Sequence, residues 1–199
     1  MHEVNIIIAD ARQVAACGDE IIGVISRYYA QQYQRIKKKQ EADQELTAGF
    51  LLKKYLGVIS NDQIIRTEYG KPMLRSGNAF FNLSHSGEYV VLAVADMEIG
   101  VDVETILDVH WPTVNKIFSK KQKEELELTA ASGQPIQFTR LWTECEAVLK
   151  LVGTGLGVKS VIENTPVIHH ISSSNIIISC AAYEEFYITV KKEQAEIRL

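Results

Sequence analysis

Three apolar runs in quick succession, Phe80-Leu83, Tyr89-Ala95 and Ile99-Val103, constrain the fold of this chain more than any other feature. They are short, rich in β-branched and aromatic residues, and separated only by Ser-His-Ser-Gly-Glu and Asp-Met-Glu. Such spacing predicts strands joined by tight connections, an antiparallel meander through the middle of the chain. Around it the periodicity alternates. Val4-Ala9 reads as a strand, and Ile21, Val24, Ile25, Tyr28 and Tyr29 repeat at helical spacing after Asp19 as N-cap. A second helix is predicted over Asp43-Leu56, stopping at Gly57. Two more are predicted over Thr113-Leu128 and Gln137-Val152, broken apart by Ser132-Gly133-Gln134-Pro135. Val167-Ile171, Ile176-Ala182 and Phe186-Val190 close the chain as strands. The fold class is therefore α+β, with a division near residue 103.

With 199 residues and 46% apolar content, the chain can build one large core or two small ones, which excludes disorder and disulfide-stapled miniproteins. The net charge of −4 gives no basic footprint for nucleic acid. Cys17, Cys145 and Cys180 are an odd number without C-x-x-C spacing, which argues against a zinc ribbon and a paired disulfide framework and fits a reducing cytoplasm. The first residues lack the basic and long apolar regions of a signal peptide, and no apolar stretch approaches the roughly 20 residues of a membrane span. A cytoplasmic protein without membrane or nucleic-acid partners is expected.

Asp102 and Glu104 end the run Ile99-Gly100-Val101-Asp102-Val103-Glu104, and a period of two aims both carboxylates at one face, with Val101 and Val103 at the other. They are either two solvated acids at a strand end or a pair that needs a hard divalent cation such as Mg²⁺. Glu146 and Lys150 share a face of the helix Leu141-Lys150, a spacing also common in simple surface ion pairs. Ser84, His85 and Ser86 stand at the end of the first meander run, where hydroxyl and imidazole can bond a phosphate or merely form a turn. Gly70-Lys71-Pro72 holds a lysine near a turn, suited to an anion. Gly153-Thr154-Gly155-Leu156-Gly157 lacks the Walker ending and reads as a helix stop.

In order, G-K-P (70-72), F-N-L-S-H-S (81-86), I-G-V-D-V-E (99-104), W-T-E-C-E-A-V-L-K (142-150) and G-T-G-L (153-156) resemble the signature series of 4'-phosphopantetheinyl transferases of the surfactin-synthetase-activating type. The resemblance implies two similar α+β halves, residues 1-103 and 104-199, packed as an intramolecular pseudo-dimer in a monomeric protein. It implies Mg²⁺-dependent transfer of the phosphopantetheine arm of coenzyme A to a serine of an apo acyl or peptidyl carrier protein, releasing adenosine 3',5'-bisphosphate. By the same resemblance Asp102, Glu104 and Glu146 would be metal ligands. Glu146, Lys150 and His85 would be catalytic, and Lys71, Pro72, Ser84, His85 and Lys150 would bind coenzyme A. Cys145 stands where the family usually has Lys, Gln122 where it often has Glu, and the helix around Asp43-Leu46 lacks an expected Arg. The 3'-phosphate would then fall to Arg35, Lys37, Lys38 or Lys39. These departures motivate an alternative, a non-catalytic relative that binds coenzyme A or a carrier protein. Lys116, Lys120, Lys121 and Lys123 offer a basic surface for an acidic carrier.

Overall fold

The computed structural model describes residues 1–154 and 165–193. The chain begins with β1 (His2–Asp10) and α1 (Ala11–Ala15), α2 (Gly18–Ile22), α3 (Arg27–Arg35) and α4 (Lys39–Leu56). A small hairpin of β2 (Ile64–Arg66) and β3 (Pro72–Leu74) leads into β4 (Phe80–Ser86), β5 (Tyr89–Ala95) and β6 (Ile99–Thr105). Then come α5 (Trp111–Ile117), α6 (Lys120–Leu128) and α7 (Gln134–Val152), followed by β7 (Val167–Ser172), β8 (Ile176–Ala182) and β9 (Phe186–Glu193).

The meander breaks after its second strand. β4 and β5 pair as a hairpin, but β6 leaves them for a separate antiparallel sheet of order β6-β8-β7, because β5 already has β4 on one edge and β1 on the other. The first sheet has order β4-β5-β1-β9, and β9 lies parallel to β1 across Glu3↔Tyr187 to Ala9↔Glu193. Position 103 thus falls within β6, and the last described strand belongs to the first sheet.

Four layers result. Ile7, Ala9, Val90 and Leu92 face α1 to α4, while Val4, Ile6, Ile8, Val91 and Ala93 face Val101, Val103, Ile178 and Cys180 of the second sheet. This explains why Ile6, Ile7 and Ile8 are all buried: β1 has core on both faces. The outer face of the second sheet carries α7, through Ala147 and Leu151 against Ala181. Both long helices, α4 and α7, end on a left-handed glycine, Gly57 (φ 66°) and Gly153 (φ 78°); Gly155-Leu156-Gly157 lie outside the described residues.

Several boundaries differ from the sequence reading. The periodic segment after Asp19 is two helices, α2 and α3, separated at Gly23–Ser26. The stretch from Thr113 is also two, because Ser119 and Gln122 form a capping box that starts α6 afresh. Ser84, His85 and Ser86 are strand, not turn: β4 runs to Ser86 and turns at Gly87.

Candidate functional site

The site is built where α7 crosses β6. Gly100, Asp102 and Glu104 alternate onto the face that meets α7, with Val101 and Val103 in the core between the sheets. Gly100 admits the helix, since a Cβ there would fall 2.0 Å from the Ala147 carbonyl oxygen and 2.3 Å from the Leu151 amide nitrogen. Ala147 and Leu151 therefore press on the strand, and Glu146 and Lys150, beside them on the helix, reach the acids. Lys150 Nζ donates to Asp102 Oδ1 at 2.7 Å and to Ser84 Oγ at 2.8 Å.

Asp102 is not a solvated strand-end acid. It is 4% exposed, its Oδ1 also accepts from Ser84 Oγ at 2.8 Å, and its buried Oδ2 has no hydrogen-bond partner among the described residues. Burial is the first cause that raises the pKa of Glu146, with Asp102 and Glu104 adding repulsion and Lys150 opposing it. Burial also leads in raising Glu104; Asp102 adds to it, whereas the Ser86 hydroxyl, the Trp142 indole and Lys150 favour the charged form. The three carboxylates feel one another's field, yet among the described residues no three His, Cys, Asp or Glu side chains are spaced to ligate one ion. Mg²⁺ does not need three: it takes one or two carboxylates and completes its octahedron with water and substrate phosphate. An orphaned buried carboxylate oxygen on Asp102, with Glu104 two residues along the same face, fits such an ion.

A cleft of about 250 Å³ brings Lys71, Pro72, Glu146 and Lys150 together with Tyr69, Asn82 and Leu149. Lys71 spends its ammonium on the helix, donating to Leu151 O at 2.8 Å, and burial lowers its pKa. Ser84 is saturated. Its one proton goes to Asp102 and its lone pairs accept from Lys150 and from Val103 N at 3.2 Å, so as placed it has nothing left for a phosphate. His85, next in the strand, points to the opposite face. It is exposed, and its pKa is lowered by the surrounding protein and then by Lys150, against the pull of Asp102 and Glu41. Ser84 and His85 thus do not act from one side.

Cys145 and Gln122 face each other, Gln122 Nε2 standing 3.6 Å from Cys145 Sγ. Cys145 opens onto a second groove with Ile117, Val148 and Ile168, whose lining includes Glu144 but not Asp102, Glu104 or Glu146. Sequence reasoning missed Asn82, Gly100 and Trp142, and it took Ser86 for a phosphate contact or turn residue where its hydroxyl bonds Glu104. The signal for Asn82 and Ser86 was present, as a polar residue at every second position of β4, but ending that strand at Leu83 hid it.

Fold and cleft define an α+β protein in which a buried aspartate pairs with a helix lysine, and two glutamates lie within their field, between a sheet edge and a helix. Comparison with known proteins makes the class specific: the model of the 4'-phosphopantetheinyl transferase superfamily matches residues 98–197, half of the chain. The chain belongs to that superfamily. It is 31% identical over 137 residues to 4'-phosphopantetheinyl transferase gsp of Aneurinibacillus migulanus, covering 66% of this chain and 57% of the relative. It is 40% identical over 88 residues to psf-1 of Bacillus pumilus, covering 44% and 38%, and 27% identical over 146 residues to Sfp of Bacillus subtilis (strain 168), covering 70% and 65%. The matched stretch spans less than two thirds of each of these relatives. No helix among the described residues is long and apolar enough to cross a membrane.

Proposed function

We propose that the chain transfers the 4'-phosphopantetheine arm of coenzyme A to a serine of an apo acyl or peptidyl carrier protein, releasing adenosine 3',5'-bisphosphate. The observation that carries this reading is a cleft lined by Lys71, Pro72, Glu146 and Lys150, with Lys150 paired to the buried Asp102 and Glu104 two residues along the same face of β6, in a chain of this family. The carrier serine oxygen bonds to the phosphorus that bears pantetheine, and the bond from that phosphorus to the bridging anhydride oxygen breaks. Glu146, whose raised pKa makes it a better proton acceptor than an exposed glutamate, takes the serine proton. Lys150 offsets charge on the leaving phosphate. Asp102 and Glu104, with Glu146 as the third candidate, would hold Mg²⁺, which when bound would supply charge neutralisation on the diphosphate. Ser84 serves Asp102, and Lys71 serves the C-terminal end of α7 while its stem borders the nucleotide beside Pro72. His85 and the exposed Arg35 and Lys37 remain for the 3'-phosphate, since Lys38 and Lys39 already pair with Glu41 and Asp43.

The same reading takes residues 1-103 and 104-199 as two related halves of a pseudo-dimer. One long helix backs each sheet, and β9 is the joint between the halves. A cytoplasmic monomer is expected, presenting exposed Lys116, Lys120 and Lys121 to an acidic carrier. The departures at Cys145 and Gln122 contact each other in a groove that Asp102, Glu104 and Glu146 do not line, which favours the transferase over a non-catalytic binder. Incubation with coenzyme A, Mg²⁺ and apo-carriers of both kinds should add the arm to the carrier serine, read by intact mass. Unmodified carriers of both kinds would refute the activity.

A further inference from the structure

We propose that Ser86 is a positioning residue that holds the carboxylate of Glu104 for a divalent cation; this rests on reading the acids as cation ligands, as above. The argument begins with a backbone need. Among the described residues β6 pairs along one edge only, with β8, so alternate N–H groups on its other edge require acceptors. Side chains of β4 supply them: Val101 N donates to Asn82 Oδ1 at 2.9 Å, Val103 N to Ser84 Oγ at 3.2 Å and Thr105 N to Ser86 Oγ at 3.1 Å. Polar residues at every second position of β4 thus stand in for the carbonyls of a missing strand.

A serine oxygen anchored in this way has one proton left to give. Ser84 gives its proton to Asp102, and Ser86 gives its proton to Glu104 Oε2 at 2.5 Å. The Ser86 end is clamped further. Gln40 Nε2 and Gln44 Nε2 of α4 both donate to the Gly87 carbonyl, at 2.6 and 2.8 Å. Gly87 itself is left-handed at φ 56° and so close to β6 that a Cβ would lie 2.9 Å from the Thr105 methyl. The hydroxyl is therefore fixed by α4, the turn and β6 together, and the longer, more mobile Glu104 side chain must come to it. Residues that orient a ligating carboxylate in this manner typically contribute about 10–100-fold to metal affinity.

The test is Mn²⁺ binding to the full chain with coenzyme A at fixed concentration, read from the free-ion EPR signal. Ser86→Ala is expected to weaken Mn²⁺ by roughly 10-fold or more, and Ser86→Thr, which keeps the hydroxyl, to restore it. Adding Ser86→Ala to Glu104→Ala should cause no further loss. If Ser86→Ala does not fold, the isosteric pair Ser86→Thr and Ser86→Val makes the same comparison. Wild-type affinity in Ser86→Ala, or an equal loss in the Glu104→Ala background, overturns the proposal while the acids stand. Wild-type affinity in Asp102→Ala and Glu104→Ala overturns the reading of the acids and the proposal with it.

Discussion

Gly100→Ala places a single methyl group between β6 and α7, and its effect follows from three distances. The new Cβ would stand 2.0 Å from Ala147 O, 2.3 Å from Leu151 N and 2.9 Å from Leu151 Cα. All three are backbone atoms, so no side chain can swing away. Ordinary contact begins near 3.4 Å, so the helix must retreat by about 1.4 Å. Overpacking of this kind costs roughly 1–3 kcal/mol, and a helix backbone that must move as a unit puts the cost near ~3 kcal/mol. For a chain of this length each kcal/mol lowers the transition by about 2–4 °C, so a fall of roughly 6–12 °C is expected in scanning calorimetry. The same retreat draws Glu146 and Lys150 away from Asp102, and misplacement on the order of 1 Å can cost ~10²-fold in rate. Arm transfer to an apo-carrier, assayed well below the lowered transition, should therefore fall far more than the folded fraction does. A variant that melts within about 2 °C of wild type and turns over normally would show that the close seat of α7 on Gly100 is not what aligns the acids.

Asp102→Ala should abolish transfer and also destabilise the protein by about 2 kcal/mol in urea unfolding, because it strands a half-buried Lys150; a fully buried pair would cost about 3–5 kcal/mol. A stabilised variant would mean that repulsion among the acids outweighs that pair. Glu104 and Glu146 both titrate above the ordinary glutamate value of 4.5, so the native state holds their protons more tightly than the unfolded chain. In metal-free protein, stability should fall as pH rises from that value through the raised pKa and then level off. Glu146→Gln should raise the melting temperature at neutral pH and flatten the fall, and a profile superimposable on wild type would contradict this. Phe186→Ala, at a side chain 2% exposed in the core between the two sheets, should cost about 3–5 kcal/mol by calorimetry. Trp142→Ala should cost about half as much, since its ring is only half-buried.

The two carboxylates of β6 illustrate what was legible from the sequence. Alternation along a strand is a local property, so Asp102 and Glu104 on one face with Val101 and Val103 on the other could be read from four residues. The same holds for Glu146 and Lys150 on one face of a helix, and for glycine stops at Gly57 and Gly153. Burial of Asp102 was not legible, because it depends on α7 descending onto Gly100, two segments separated by more than forty residues.

Strand partners were the least legible. The sequence by itself determined the α+β class, most strands and the long helices, and the set of chemically able side chains, because propensity and periodicity act over a few residues. Tertiary structure decided that β6 abandons the meander, that β9 returns to lie beside β1, and that Ser84 and Ser86 satisfy an unpaired strand edge while directing carboxylates. The physical reason is that backbone N–H and carbonyl groups must all find partners once buried, and which segment supplies them is settled only when distant parts of the chain compete for the same edge.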